Sequence, residues 1–491
     1  MKLGHNLLAG LANSIWSALV GLAVVPFYLK YLGIEAYGLI GFFATTQAVL
    51  SLLDMGMAPT INREVARCSA SGSLQEAGKL LHTLAVVYWS MAAMIALLVV
   101  LLAPWIAEYW LQSKHVSQQT ISHAIMLMGL VVACRWPIGL YQGALNGAQR
   151  LTVSSGINMV MATVGSLGTV AVLAFVSPTI EAFFIWQACV GLVYAITMRL
   201  AAWRVIGRMR ETKFEVNELK TIWRFSVGMS GVAITGVILM QLDKVILSKL
   251  LSLEDYGRYM LAGVVANGLY ILLTPLFNAI YPRMTVLVVE GEIEKLTDLY
   301  KKSTRLFLAL FFPIAIIAAL FSEDLLFIWT RNQQLASSTS LIASLLIIGT
   351  AFNGAMHFPY ALQLAYGATR LPLTITVVLI VILAPLIVIF TTTYGATGGA
   401  LAWLLLNISY LFFGTWITHK NILRGQAMNW LTQSVGHPLV ISTIIIVIGW
   451  KFAYEEGRHY INILWGCGFL VMAWFANYAF LPKNMALKTM E

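Results

Sequence analysis

The chain has 491 residues, 59% of them hydrophobic and only 11% charged, with a formal net charge of +10 and a mean hydropathy of +0.81. A soluble chain carries roughly 25% charged residues, so too few are present to cover the exterior of water-exposed domains of this length. Most of the surface must face lipid, and the basic balance, which in a soluble protein would suggest nucleic acid, falls instead in short loops between apolar runs.

A helix needs about 20 apolar residues to cross the hydrocarbon core, and fourteen stretches qualify on that ruler. The first, 6–29, follows one early lysine and is longer than a signal-peptide core, so it is expected to stay attached. It leads through KYLGIEAYG (Lys30–Gly38) into a second span at 36–58, and further spans follow at 81–103, 121–147, 152–176 and 181–203. A basic connector, Arg199–Arg224, then precedes spans at 222–247 and 256–281, joined through KLLSLEDYG (Lys249–Gly257). The rest fall at 304–321, 338–366, 372–393, 396–418, 436–453 and 461–481, with 338–366 interrupted by His357 and Pro359. The segment EGEIEKLTDLYKK (Glu290–Lys302) reads as a charged surface helix between spans.

The two KxLxxExYG turns sit 219 residues apart. Gly33 or Ser252 ends one helix and opens the next, Ser252 and Asp255 have capping-box spacing, and Glu35, Glu254 and Asp255 fall in a first turn that favours negative charge. Gly38 and Gly257 permit close helix approach. With the N-terminus placed in the cytoplasm, 22 of the 31 Lys and Arg fall on the cytoplasmic side, 7 on the other side, and Arg135 and Lys244 within spans. Six spans per half is an even number, so a duplicated segment would re-enter the same way up, a parallel repeat. The fold class expected is an all-α integral membrane protein: an N-lobe at 1–207, a basic cytoplasmic linker at 208–221, a C-lobe at 222–420, and an appended helix pair at 421–491.

Nothing in the chain suggests an enzyme. No GxxxxGK[ST], HExxH or DxDxDG pattern occurs, and no extramembrane segment is long enough for a catalytic domain. The four cysteines show neither C-x-x-C nor ligand spacing, so no metal and no cofactor is expected.

Charges inside spans cost about 3 kcal/mol each on insertion scales and should face a protein interior or a wet cavity. Arg135, in CRWPIGL beside Pro137, offers five donors on a permanent charge and suits a phosphate or diphosphate; pairing with Asp54 or Asp243 is the structural alternative. Lys244 is a candidate cavity cation. It and Asp243 are adjacent and point about 100° apart around a helix, so direct pairing is not expected. Asp54, Asp243 and His357 are the ion-coupling candidates, with an inner-rim pairing to Arg63 the bland reading for Asp54 and a hydrogen-bonded interior position the bland reading for His357. Asn146 and Asn267 suit a sugar-accepting cavity or interhelical hydrogen bonds, and Arg63, Arg199 and Arg224 form a cytoplasmic rim.

The long first span, the Y-L-G-x-x-x-Y-G turn, the second span ending in Asp54-x-Gly56 with Arg63 downstream, and a seventh span carrying Asp243-Lys244 before L-x-x-E-x-Y-G resemble the polysaccharide-transport branch of the MOP flippase superfamily, its O-antigen (Wzx) type above all. The resemblance implies a bacterial inner-membrane protein with both termini cytoplasmic and two six-helix lobes around an alternately opening cavity. Its substrate would be an undecaprenyl-diphosphate-linked oligosaccharide, moved from the cytoplasmic to the periplasmic leaflet with ion coupling, among membrane lipids and beside a polysaccharide polymerase and chain-length regulator. A drug or cation antiporter of the same superfamily, or a polytopic O-antigen polymerase or ligase, are the alternatives; fourteen spans depart from the twelve usual in this branch.

Overall fold

A computed structural model describes residues 2–207 and 234–480. The predicted linker at 208–221, the first part of the seventh span, Arg224 and the lysines after 480 lie outside these residues. Every regular element among the described residues is helical, as the bilayer requires: with no water to bond free N–H and C=O groups, each backbone group must be satisfied within its own segment. Eleven described helices are long and apolar enough to cross a membrane. Their large apolar side chains lie open on the outside, Leu101 at 66%, Val381 at 66% and Phe452 at 85%, which is a surface for lipid.

Two of these helices are longer than a bilayer is thick. α1 (Lys2–Leu50, 49 residues) and α14 (Arg370–Asn421, 52 residues) would each reach about 75 Å, against a core of about 30 Å. Each is broken once, at Gly33 (φ 79°, ψ 175°) and at Gly395 (φ 58°, ψ −140°), backbone conformations that only glycine adopts without strain. The breaks fall where the sequence separates its first two spans and its eleventh and twelfth.

By packing, the chain forms two compact units. The first comprises residues 1–241 together with Ser252–Gly257, and among its described helices are α1, α2 (Met57–Ser71), α3 (Leu74–Tyr109), α4 (Gln118–Arg135), α5 (Ile138–Gly147), α6 (Leu151–Phe175) and α7 (Ile180–Ile206). Its inner core joins α2, α3, α5 and α7 through buried Ile61, Leu84, Tyr88, Tyr141 and Met198. Span four is not one rod. It divides at Trp136–Pro137, where proline removes a backbone donor, so Arg135 is the last residue of α4. After the short turn Ser51–Asp54, Met55 and Gly56 are left-handed and lead into α2; Pro59 sits in its first turn, where a helix has no use for the missing N–H.

The turns between helices in this unit are held by specific bonds. Glu35 is 7% exposed and accepts from the Ser113 hydroxyl at 2.9 Å and from the N–H groups of Lys114, His115 and Val116 at 3.2–3.3 Å. Burial pushes its carboxyl up, but the bonds from Ser113, Lys114 and His115 outweigh that and hold it below the usual 4.5. Ser252 Oγ accepts from the Asp255 N–H at 3.2 Å and donates to its carboxylate at 3.0 Å, the expected cap. Gly38 lies against the Leu253 carbonyl and Gly257 against the Ile34 carbonyl, closer than any Cβ would allow.

The second unit comprises residues 242–251 and 258–491. It holds the end of α8 (234–250), most of α9 (Leu253–Asn267), then α10 (Tyr270–Glu290), α11 (Ile293–Leu320), α12 (Ser322–Thr330), α13 (Gln333–Ala365), α14, α15 (Ala427–Asn429), α16 (His437–Ala453) and α17 (His459–Ala479). The predicted surface helix at 290–302 is not separate. Gly291 caps α10, and the charged stretch is the start of α11, continuous with the ninth span. α13 runs unbroken through Pro359. At one end of this unit the buried Asp324 carboxylate accepts from His459 Nδ1 at 2.7 Å and from Asn462 Nδ2 at 3.1 Å, tying α17 to α12.

Candidate functional site

Arg135 opens onto a cavity of about 680 Å³ inside the first unit. α1, α4, α5, α6 and α7 contribute its walls, through Asn13, Tyr28, Phe43, Asn158, Gln187 and Tyr194 among others. The Arg135 guanidinium donates to Gln187 Oε1 and lies 5.9 Å from the Phe43 ring centroid. Gln187 is fixed in turn, its amide donating to Thr169 Oγ1 at 2.9 Å and to the Gly165 carbonyl at 3.4 Å, so its oxygen is the end left for arginine. Glycine at 191 leaves room for the arginine stem, whose Cγ would stand 3.1 Å from a Cβ there.

Among the described residues Arg135 has no carboxylate partner, so neither Asp54 nor Asp243 neutralises it. An amide oxygen compensates only part of a guanidinium, and the cavity beside Arg135 brings further polar side chains, Asn13, Ser17, Gln47 and Asn158, into its lining. The remaining lining suits polar, ring-shaped groups. Tyr194 donates to Asn158, Tyr28 donates to the Ser166 carbonyl at 3.4 Å, and Asn13 Oδ1 is buried with no partner among the described residues. Among the described residues no Asp or Glu lines the cavity.

The other candidates lie elsewhere. Lys244 and Asp243 pair with each other, Nζ to Oδ1 at 3.0 Å, against expectation: the 100° rule fixes where the side chains start, and the flexible lysine stem folds back across the gap. Tyr259 also donates to Asp243 at 2.6 Å. Asp54 accepts from the Tyr88 hydroxyl and from the Ala58 N–H at 3.2 Å, while Arg63 pairs with Glu64, so the expected bond between Asp54 and Arg63 is not made. Asn146 accepts from Ser154 at 2.9 Å, and Asn267 is exposed at the end of α9. His357 Nδ1 donates to the Asn353 carbonyl at 3.1 Å beside the Tyr270 and Phe277 rings, an interior setting. Arg199 is exposed on α7 and lines a second cavity. Within the first unit, Asp54, Arg63, Asn146 and Arg199 all lie outside the lining of the Arg135 cavity.

Gln187, Asn158, Tyr194 and Asn13 were not singled out by sequence. Gln187 alone carried a signal, as a polar residue in the middle of the apolar run FFIWQACVG.

A family profile described as "Polysaccharide biosynthesis protein" matches residues 3–288, more than half of the chain. The chain belongs to that family. Among relatives of the chain, a Shigella flexneri protein described as "Putative O-antigen transporter" is 22% identical over 405 residues, covering 80% of this chain and 93% of that one. The fold is shared with solved membrane transporters. A solved structure of the lipid II flippase MurJ matches 96% of this chain and 99% of its own with a TM-score of 0.70 at 14% identity. An inward-facing MATE multidrug transporter of the MOP superfamily covers 87% of this chain with a TM-score of 0.63 at 16% identity. The family member described here is thus a multi-pass membrane protein of transporter fold.

Proposed function

We propose that this chain is a flippase that carries an undecaprenyl-diphosphate-linked oligosaccharide from the cytoplasmic to the periplasmic leaflet by alternating access. The observation that carries the reading is Arg135, a guanidinium with no carboxylate partner among the described residues, in the wall of a cavity of about 680 Å³ otherwise lined by amides, phenols and apolar groups. A diphosphate is the anion such a fork of donors fits, amides and aromatic rings suit the adjoining sugar, and the volume lies within the range of small-molecule sites. The relatives' names, an O-antigen transporter and a lipid II flippase, support the same substrate class. Drug export by the same fold is disfavoured by the cavity itself, since a cation in the wall repels cationic drugs and no carboxylate among the described residues lines it.

The finer architecture belongs to this proposal: fourteen spans, counted by dividing α1 and α14 at Gly33 and Gly395, arranged as two six-helix lobes and a C-terminal pair, with both termini cytoplasmic in a bacterial inner membrane. The asymmetry of Lys and Arg between the two sides supports that orientation. Ion flow supplies the drive, at about 2.3 kcal/mol per charge per 100 mV, and the exposed head passes on to a polymerase and chain-length regulator. The test is reconstitution with defined lipid-linked oligosaccharides, following head exposure with and without a pH gradient. Head translocation above that of protein-free vesicles is expected, and translocation no faster than in those vesicles would refute the proposal.

A further inference from the structure

A second cavity, of about 930 Å³, lies in the first unit apart from Arg135. One wall is a face of α3 that carries His82, Val86, Trp89 and Ala93, at helical spacing; the other is a face of α7 that carries Ile196, Arg199, Leu200 and Trp203; Tyr141 of α5 closes the back. Its mouth is apolar and open: Val86 is 43%, Ile196 44% and Leu200 55% exposed, continuous with the exposed Leu97 and Val193 further along the same helices. A cleft with such a rim opens into hydrocarbon.

The polar groups gather at one end. His82 is eight residues from the start of α3 and Arg199 seven from the end of α7, about 10–12 Å in from the helix termini. Neither forms an ion pair among the described residues. Trp89 donates to the Tyr141 hydroxyl at 3.2 Å, which leaves the phenolic proton to donate. Two indoles, a phenol, an imidazole and a guanidinium at the level where a helix leaves the hydrocarbon are the chemistry of the headgroup zone. Basic pockets between helices on the cytoplasmic side hold anionic headgroups.

We infer that this cleft binds an anionic phospholipid of the cytoplasmic leaflet, its phosphate on Arg199 and His82 and an acyl chain along Val86, Ala93, Ile196 and Leu200. The leaflet follows from the orientation proposed above, but lipid binding in detergent does not depend on orientation or on transport, so the two readings fail separately. The lipid is committed by charge complementarity with Arg199 and by the apolar mouth, which a water-soluble anion would not use.

The full-length protein in detergent is titrated with phosphatidylglycerol, phosphatidylcholine or inorganic phosphate, and bound lipid is read by native mass spectrometry alongside thermal stability. Phosphatidylglycerol is expected to remain bound and to raise the melting temperature, with phosphatidylcholine weaker and inorganic phosphate without effect. Arg199→Gln should weaken the phosphatidylglycerol effect about fivefold, the worth of one basic residue near a charged surface. Ala93→Trp, which fills the cleft and leaves the charge in place, should abolish it. Equal effects of phosphatidylglycerol and phosphatidylcholine, an equal effect of inorganic phosphate, or wild-type binding by both variants would each overturn the assignment. Arg135→Gln serves as the reference variant and should bind the lipid as wild type does.

Discussion

Gly38 and Gly257 face the same constraint from opposite sides: a Cβ on Gly38 would strike the Leu253 carbonyl, and one on Gly257 the Ile34 carbonyl. Backbone cannot rotate away as a side chain can, so one of the two segments must move. Gly38→Ala and Gly257→Ala are each expected to destabilise the protein by about 1–3 kcal/mol, the usual cost of overpacking. Gly21→Ala, at a helical position with open space around it, should leave the melting temperature unchanged or slightly raised. Thermal unfolding in detergent checks all three, and equal melting temperatures across the set would contradict the packing.

Arg135 tests the proposed substrate. Arg135→Lys keeps a charge but loses the planar fork and should retain part of transport; Arg135→Ala should lose it while reaching the membrane in normal amount. Gln187→Leu removes the hydrogen-bond partner that the guanidinium has among the described residues and should lower transport without abolishing it. Normal transport by the alanine variant would remove Arg135 from the mechanism.

Glu35 predicts an acid dependence whose sign follows from its bonds. Its folded carboxyl titrates below 4.5, so its contribution is present above that value and is lost as pH falls through the lower folded value. Glu35→Gln should lower stability at neutral pH and flatten this component of the acid limb. Melting temperatures from about pH 6 down to about pH 3 would show it; parallel curves for both proteins would count against the assignment.

Asp324 predicts a strong effect at the other end of the chain. Its carboxylate is fully buried, and its partners are His459 and Asn462. His459→Ala leaves that carboxylate short of a donor and should cost about 3–5 kcal/mol, whereas the double variant with Asp324→Ala should recover part of the loss. A double-mutant cycle on thermal stability measures the coupling, and additive losses would show that the two do not act together.

The helices were legible in the sequence because bilayer thickness sets their length and apolar content together. The breaks at Gly33 and between Thr393 and Ala396 were legible as well, since at each a glycine falls between two apolar runs that are both long enough to span. Arg135 could be read because a permanent charge in an apolar run demands a polar surround. Its companions could not. Gln187, Asn158 and Tyr194 are neutral, and a neutral polar residue in a span serves a helix contact and a cavity equally well until the neighbouring helices are placed. Lys244 and Asp243 were misjudged because a geometric rule for helix positions says nothing about the reach of a four-carbon stem. The Asp54 bond to Tyr88 spans 34 residues of sequence, and nothing in either segment announces the other.

The loop that Glu35 grips runs directly into α4, whose eighteen residues end at Arg135. At 1.5 Å per residue that helix is a rod of about 27 Å with a fixed stop at one end and the guanidinium at the other. If Arg135 meets the cargo as proposed, Glu35 is its depth gauge: the height of that charge is set from the opposite end of α4, one helix length away from the guanidinium.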